Sequence, residues 1–287
     1  LKITEKQIIQ IPIGAKFLDV KMQYTDLCIW FLCNPENDKE EKTILSAFKT
    51  KFQNEEILFN QLLEVYASFL QVTSGKVKDN EYPNWTLLIL LSQTLPLMDN
   101  AFYLLSSGYI RSSEIMIRVV AEAVILSAYF KEFPDAEIEY RTTNYRDFFK
   151  NHKIENMLKR VEKDGKVFIS NKQKAKQIKW HKIVFLNLFK ESSRFLHNNP
   201  NVIYDITKNN IRASQNNHEL IMGPQLYSDD ILKMGLRRLF NTLLFSLVVL
   251  GVSLNIYPDE NEKSVMEKSQ KLVEKLNTTS TTFKKEL

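Results

Sequence analysis

Between Gly108 and Phe130 the chain is apolar on almost every side of a helical period, and its four charges, Arg111, Glu114, Arg118 and Glu122, fall on one narrow stripe. At ~100° per residue they sit at about 0°, 300°, 340° and 20°, so each has an opposite charge three or four residues away. A helix this greasy needs other helices around it, which makes a multi-helix bundle the expected architecture. The stripe itself is either a solvated face or a buried polar seam. Val119, Val120, Val124 and Ile125 leave no other polar face, so partial burial is expected. Only Glu114 before Arg118 has the favoured acid-then-base order at i,i+4.

The rest of the chain agrees with that architecture. Seven glycines and eight prolines in 287 residues are too few for the many turns of a barrel, a sandwich or a doubly wound sheet, and suit long helices with few loops. Residues 239–258 run without a charge, as do residues 82–98. The first is long enough to cross a bilayer, but Asn241, Thr242, Ser246, Ser253 and Asn255 interrupt it, and the second contains Asn84, Gln93 and two prolines. Buried core helices are the expectation for both, with no membrane partner. Apolar periodicity predicts one long helix from Thr43 past Leu70, ended by a polar break at 73–83, and further helices near 84–107, 111–132 and 135–161. Others are expected near 178–196, 228–256 and 260–277. The asparagine-rich stretch 197–228 is left as an irregular loop.

The first forty residues have a different texture. Lys6–Pro12, Lys16–Gln23 and Asp26–Cys33 are short runs rich in β-branched and aromatic residues, broken by Pro12, Gly14 and the turn at Tyr24–Asp26, which reads as an antiparallel meander. The expected organisation is therefore a small β meander over 1–42, including a polar linker at 34–42, followed by a helical bundle over 43–287. Cys28 and Cys33 fall on opposite faces of an extended strand and read as free thiols of a reducing cytoplasm. No charged segment leading into an apolar one opens the chain, and a cytoplasmic location is expected. The residues Ile3-Thr4-Glu5-Lys6-Gln7, Ile11-Pro12-Ile13-Gly14-Ala15-Lys16, Gln23 and Leu27-Cys28-Ile29-Trp30 resemble a family of very small phage-encoded β proteins of unknown role. That likeness covers about forty residues and implies a fold element only.

Charge is distributed unevenly. Residues 150–182 hold eleven lysines and arginines against three acids, a net of +8, while the remainder of the chain is at −3. Any contact with a polyanion is therefore expected there, with Lys172, Lys174, Lys176, Lys179 and Lys182 as the phosphate-holding residues. A solvated, lysine-rich surface explains the same run equally simply. Glycine-rich phosphate loops and metal-ligand spacings are missing, and the four histidines are scattered, so neither a cofactor nor a metal is expected.

One further resemblance bears on activity. Ser106-Ser107-Gly108-Tyr109, Arg111-Ser112-Ser113-Glu114, Arg118-Val119-Val120-Ala121-Glu122-Ala123 and Tyr129-Phe130, followed by Ser192-Ser193-Arg194-Phe195-Leu196-His197 and Pro200, resemble an uncharacterised all-helical prokaryotic family over about 45–258. That family is similar to the HEPN superfamily, whose helical bundles often act as metal-independent ribonucleases in toxin and phage-defence systems. The resemblance implies an Arg, four to six intervening residues and then a His, and Arg146 to His152, with five between, fits that string. It also points to His197, with Arg194 beside it. In chemical terms such a histidine would move a proton at the ribose 2′-hydroxyl while the arginine clamps the phosphate. On a single helix, residues six apart leave about 240° apart, so Arg146 and His152 converge only if the helix ends between them or two copies pair. The expectation is an RNA-directed protein with catalysis left open and a homodimer as an option. The alternative is a non-catalytic helical module that binds a protein partner.

Overall fold

The computed structural model describes residues 16–23, 26–32, 35–78, 85–164, 211–213, 218–220 and 227–278. In the bundle they form α1 (Pro35–Lys51), α2 (Gln53–Lys78), α3 (Trp85–Ser92), α4 (Thr94–Ser106), α5 (Ile110–Glu132), α6 (Pro134–Thr142), α7 (Tyr145–Asn151), α8 (Ile154–Asp164), α9 (Asp229–Leu254) and α10 (Glu260–Thr278). Two antiparallel strand pairs complete them. β1 (Lys16–Gln23) pairs with β2 (Asp26–Leu32), and β3 (Ile211–Ala213) with β4 (His218–Leu220). The first run of the expected meander, residues 6–12, and the expected helix at 178–196 lie outside the described residues.

The core is built around two helices. The charge-striped segment becomes α5, which packs against α3, α4, α6, α8 and α9, while α9 also meets α2, α4 and α10. The uncharged run of α9 is a core helix, with 83% of its most apolar window buried. Phe59, Leu62, Tyr66, Met98, Val120, Val124, Phe130, Leu239, Phe240 and Leu243 form the middle of a continuous apolar cluster. Rings interlock within it, with Phe59 stacked on Phe102 at 4.6 Å and edge-on to Phe240 at 5.4 Å. The Tyr66 hydroxyl donates to the Leu91 carbonyl at 2.9 Å, tying α2 to α3 without leaving a buried donor unmet.

Local chemistry explains where helices stop. Gly108 has φ 85° and follows the end of α4; the Gly108 and Tyr109 amides donate back to Leu105 and Leu104 at 3.2 and 2.7 Å, a Schellman closure that needs glycine's left-handed freedom. Asn255, at φ 51°, plays the same part after α9.

Several long expected helices are subdivided. The run from Thr43 is bent at Phe52, where the i→i+4 bonds Phe48 to Phe52 and Phe52 to Glu56 continue at 2.8 and 2.9 Å while the Phe52 ring turns inward onto Phe48. Residues 35–42, expected as a polar linker, are the opening turns of α1. The 84–107 segment divides at Gln93, because Pro96 has no amide to donate back to Ser92. The 135–161 segment becomes α6, α7 and α8. Asn144 breaks it by accepting from the Asp147 amide at 2.9 Å, a side-chain cap that a helix interior does not offer.

Candidate functional site

The charge stripe does not survive as one ladder. Glu114 turns into the interior and pairs with Arg238 of α9 at 2.5 Å, with 2% and 4% of the two side chains exposed. Arg118 instead pairs with Glu122 at 2.6 Å on a face where 14% and 20% remain accessible, and Arg111 is exposed. Partial burial is therefore what the fold produces, but the pairing is a correction: Glu114 leaves the favoured Glu114–Arg118 register for a partner 124 residues away. Ion pairs buried this deeply need both members, because either one alone would be a desolvated charge. Arg238 was missed in the sequence. Its one signal was position, since Arg237 and Arg238 are the last charges before the uncharged run of α9.

A second polar cluster forms where α5, α6, α7 and α8 meet. His152, one residue past the end of α7, lies flat on Phe148 with ring centroids 4.5 Å apart. Its Nε2 is 2.8 Å from Oε2 of Glu139 on α6, and its Nδ1 is 3.2 Å from the hydroxyl of Tyr129 on α5. Arg160 of α8 donates from a terminal guanidinium nitrogen to the same hydroxyl at 3.1 Å, and its guanidinium carbon stands 4.2 Å from the centre of the Phe133 ring. The hydrogen bond from His152, with its charge, holds the Glu139 carboxyl below its ordinary range. A carboxylate only accepts. In the neutral imidazole, Nε2 therefore carries the proton, Nδ1 accepts from the Tyr129 hydroxyl, and the phenol oxygen is free to take the Arg160 hydrogen.

This wiring bears directly on the Arg146–His152 string. Arg146 is the second residue of α7 and is exposed, whereas His152 is tucked behind the helix end with both ring nitrogens engaged. A ribose hydroxyl would have to displace Tyr129 or Glu139 to reach the ring. Glu139, Tyr129 and Arg160 carried no sequence signal as a group, because thirteen, twenty-three and eight residues separate them from His152 and only the packing of four helices unites them. Arg194, His197, Lys172, Lys174, Lys176, Lys179 and Lys182 lie outside the described residues.

The described end of the basic segment presents exposed cations among exposed acids, with a net of +2 over residues 145–164. Arg141, Arg146, Lys150, Lys153, Lys159 and Arg160 are all exposed on or between α6, α7 and α8. Two are partly neutralised, Lys150 by Asp147 at 2.8 Å and Lys159 by Glu155 at 3.4 Å. Among the described residues no group of histidines, cysteines and acids is arranged to hold a metal ion. Compared with family models, curated proteins and solved structures, the chain gives no match.

Proposed function

We propose that this chain is a cytoplasmic, HEPN-like RNA-directed protein that holds phosphate groups on the exposed cations of α7 and α8 and on the lysines that follow to residue 182, with a β meander preceding α1 in the chain. The exposed cations of α7 and α8 support this reading, at a net of +2 over residues 145–164, and the greater part of the local excess, six lysines without an acid, follows over 165–182. Phosphate contacts of this kind supply affinity without reading bases. If the protein also cleaves RNA, His197 with Arg194 is the pair to test first, because both ring nitrogens of His152 are occupied. Incubating the purified protein with total RNA in EDTA tests the proposal. Salt-sensitive binding supports it, cleavage under those conditions adds a metal-independent ribonuclease activity, and the absence of both overturns the reading.

A second reading, a helical module that binds a protein partner or a second copy, draws on α3. That helix carries five apolar residues in a row, Leu87 to Leu91, and leaves Ile89 54% exposed. Sedimentation analysis showing a stable dimer without RNA binding would favour it.

A further inference from the structure

Arginines that reach a protein surface are usually ordered by carboxylates, which fix the side chain and cancel its charge together. Arg160 is ordered differently. One edge of its guanidinium is held by the Tyr129 hydroxyl at 3.1 Å and its plane rests 4.2 Å over the Phe133 ring, both of them neutral groups. Among the side chains described, up to Val161 on this helix, it has no acidic partner. Tyr129 is itself fixed: its ring lies 4.9 Å from Phe133, and its hydroxyl is locked by His152, which Glu139 locks in turn. The acid that starts this chain of contacts is engaged with His152, so it steadies Arg160 without neutralising it.

We infer that Arg160 is a preorganised clamp for a single phosphate of an RNA backbone, and that Glu139, His152 and Tyr129 are positioning residues that hold it in place. This rests on the RNA-directed reading above and names the contact within it. A guanidinium has five donors in a rigid fork. With one edge and one face occupied, the remaining donors can meet two phosphate oxygens at little further cost in side-chain order. Lys150 and Lys159, paired to Asp147 and Glu155, offer partly cancelled charges instead.

The test measures binding of a fluorescein-labelled, mixed-sequence 20-nucleotide single-stranded RNA to the full chain between about 50 and 200 mM salt, with circular dichroism to verify folding of each variant. Arg160→Ala should weaken binding by about tenfold and flatten the slope of log affinity against log salt by ~0.7, the release expected for one phosphate on a single strand. Arg160→Lys should keep the slope and still lose about fivefold, because the charge remains and the fork does not. Tyr129→Phe should weaken binding about threefold in the wild-type background and have no effect once Arg160 is Ala, since it acts through that side chain. Lys263→Gln, a lysine of α10 paired to Glu260 and outside the surface of α7 and α8, should change affinity less than twofold. If the wild type binds RNA with salt dependence but Arg160→Ala matches Lys263→Gln in affinity and slope, the clamp is wrong while the RNA-directed reading stands. If Tyr129→Phe is equally harmful with and without Arg160, the positioning role fails. If the wild type does not bind the RNA, both the reading and the clamp fall.

Discussion

Arg238 and Arg160 are both positioned by residues from other helices, but the means are opposite. Arg238 is sealed between α5 and α9 by the carboxylate of Glu114, whereas Arg160 reaches the surface between a phenol and a phenyl ring. Burial decides the difference. In the interior an unpaired charge is costly enough that only an ion pair is tolerated, while at the edge, water offsets the charge and neutral partners suffice to orient it. One arrangement spends its electrostatics on holding helices together, and the other leaves a positive charge available.

That contrast can be broken from the core side first. Arg238→Ala or Glu114→Ala should each destabilise the protein by about 3–5 kcal/mol in urea denaturation, because each strands its partner's charge out of water. Replacing both at once, Glu114→Leu with Arg238→Met, should cost much less than the sum of the single changes. An additive double variant would show that the two side chains are not energetically coupled.

At the four-helix corner, His152→Ala removes hydrogen bonds to Glu139 and Tyr129 together with the stacking on Phe148, and should cost about 1–2 kcal/mol. A loss as large as that of Arg238→Ala would mean that the corner is core-like and erase the distinction drawn between the two regions. Arg118→Ala, at the half-buried Arg118–Glu122 pair, should cost about 1 kcal/mol, seen as a fall of ~2–4 °C in Tm for a chain of this size.

The smallest expected effect is a pH dependence. The Glu139 carboxyl is held below its ordinary value of 4.5, chiefly by the hydrogen bond from His152. Because the folded value is the lower one, its stabilising contribution is present above the unfolded value and disappears as pH falls through the folded value. Wild type and Glu139→Gln should therefore differ slightly in Tm near neutral pH, and the two curves should draw together once the pH is well below about 4. A gap that widens on acidification would reverse the assigned direction and with it the role of Glu139 as the anionic end of the network.

How much of this was legible beforehand follows from the range of the interactions. Helical periodicity located α5, α9 and α10 closely, because apolar spacing and end signals such as Gly108 and Pro134 act within a turn or two. Breaks were harder. Asn144 and Pro96 are recognisable punctuation, yet the bend at Phe52 has no breaker residue and arises from a ring seeking the core. The stripe on α5 marked the right residues and misassigned their pairing, since a local rule ranked Glu114 with Arg118 while the interior had a better partner for Glu114.

The sequence by itself determined that this chain builds long, mutually buried helices around α5 and α9, because hydrophobic period and capping chemistry are encoded within a few neighbouring residues. Only the tertiary structure decided which charges are cancelled and which are presented. Glu114 meets Arg238 across 124 residues, and Glu139, Tyr129 and Arg160 come from three separate helices with His152 at the end of a fourth. Such contacts depend on how helices cross and rotate, a property of the packed whole that no local spacing contains.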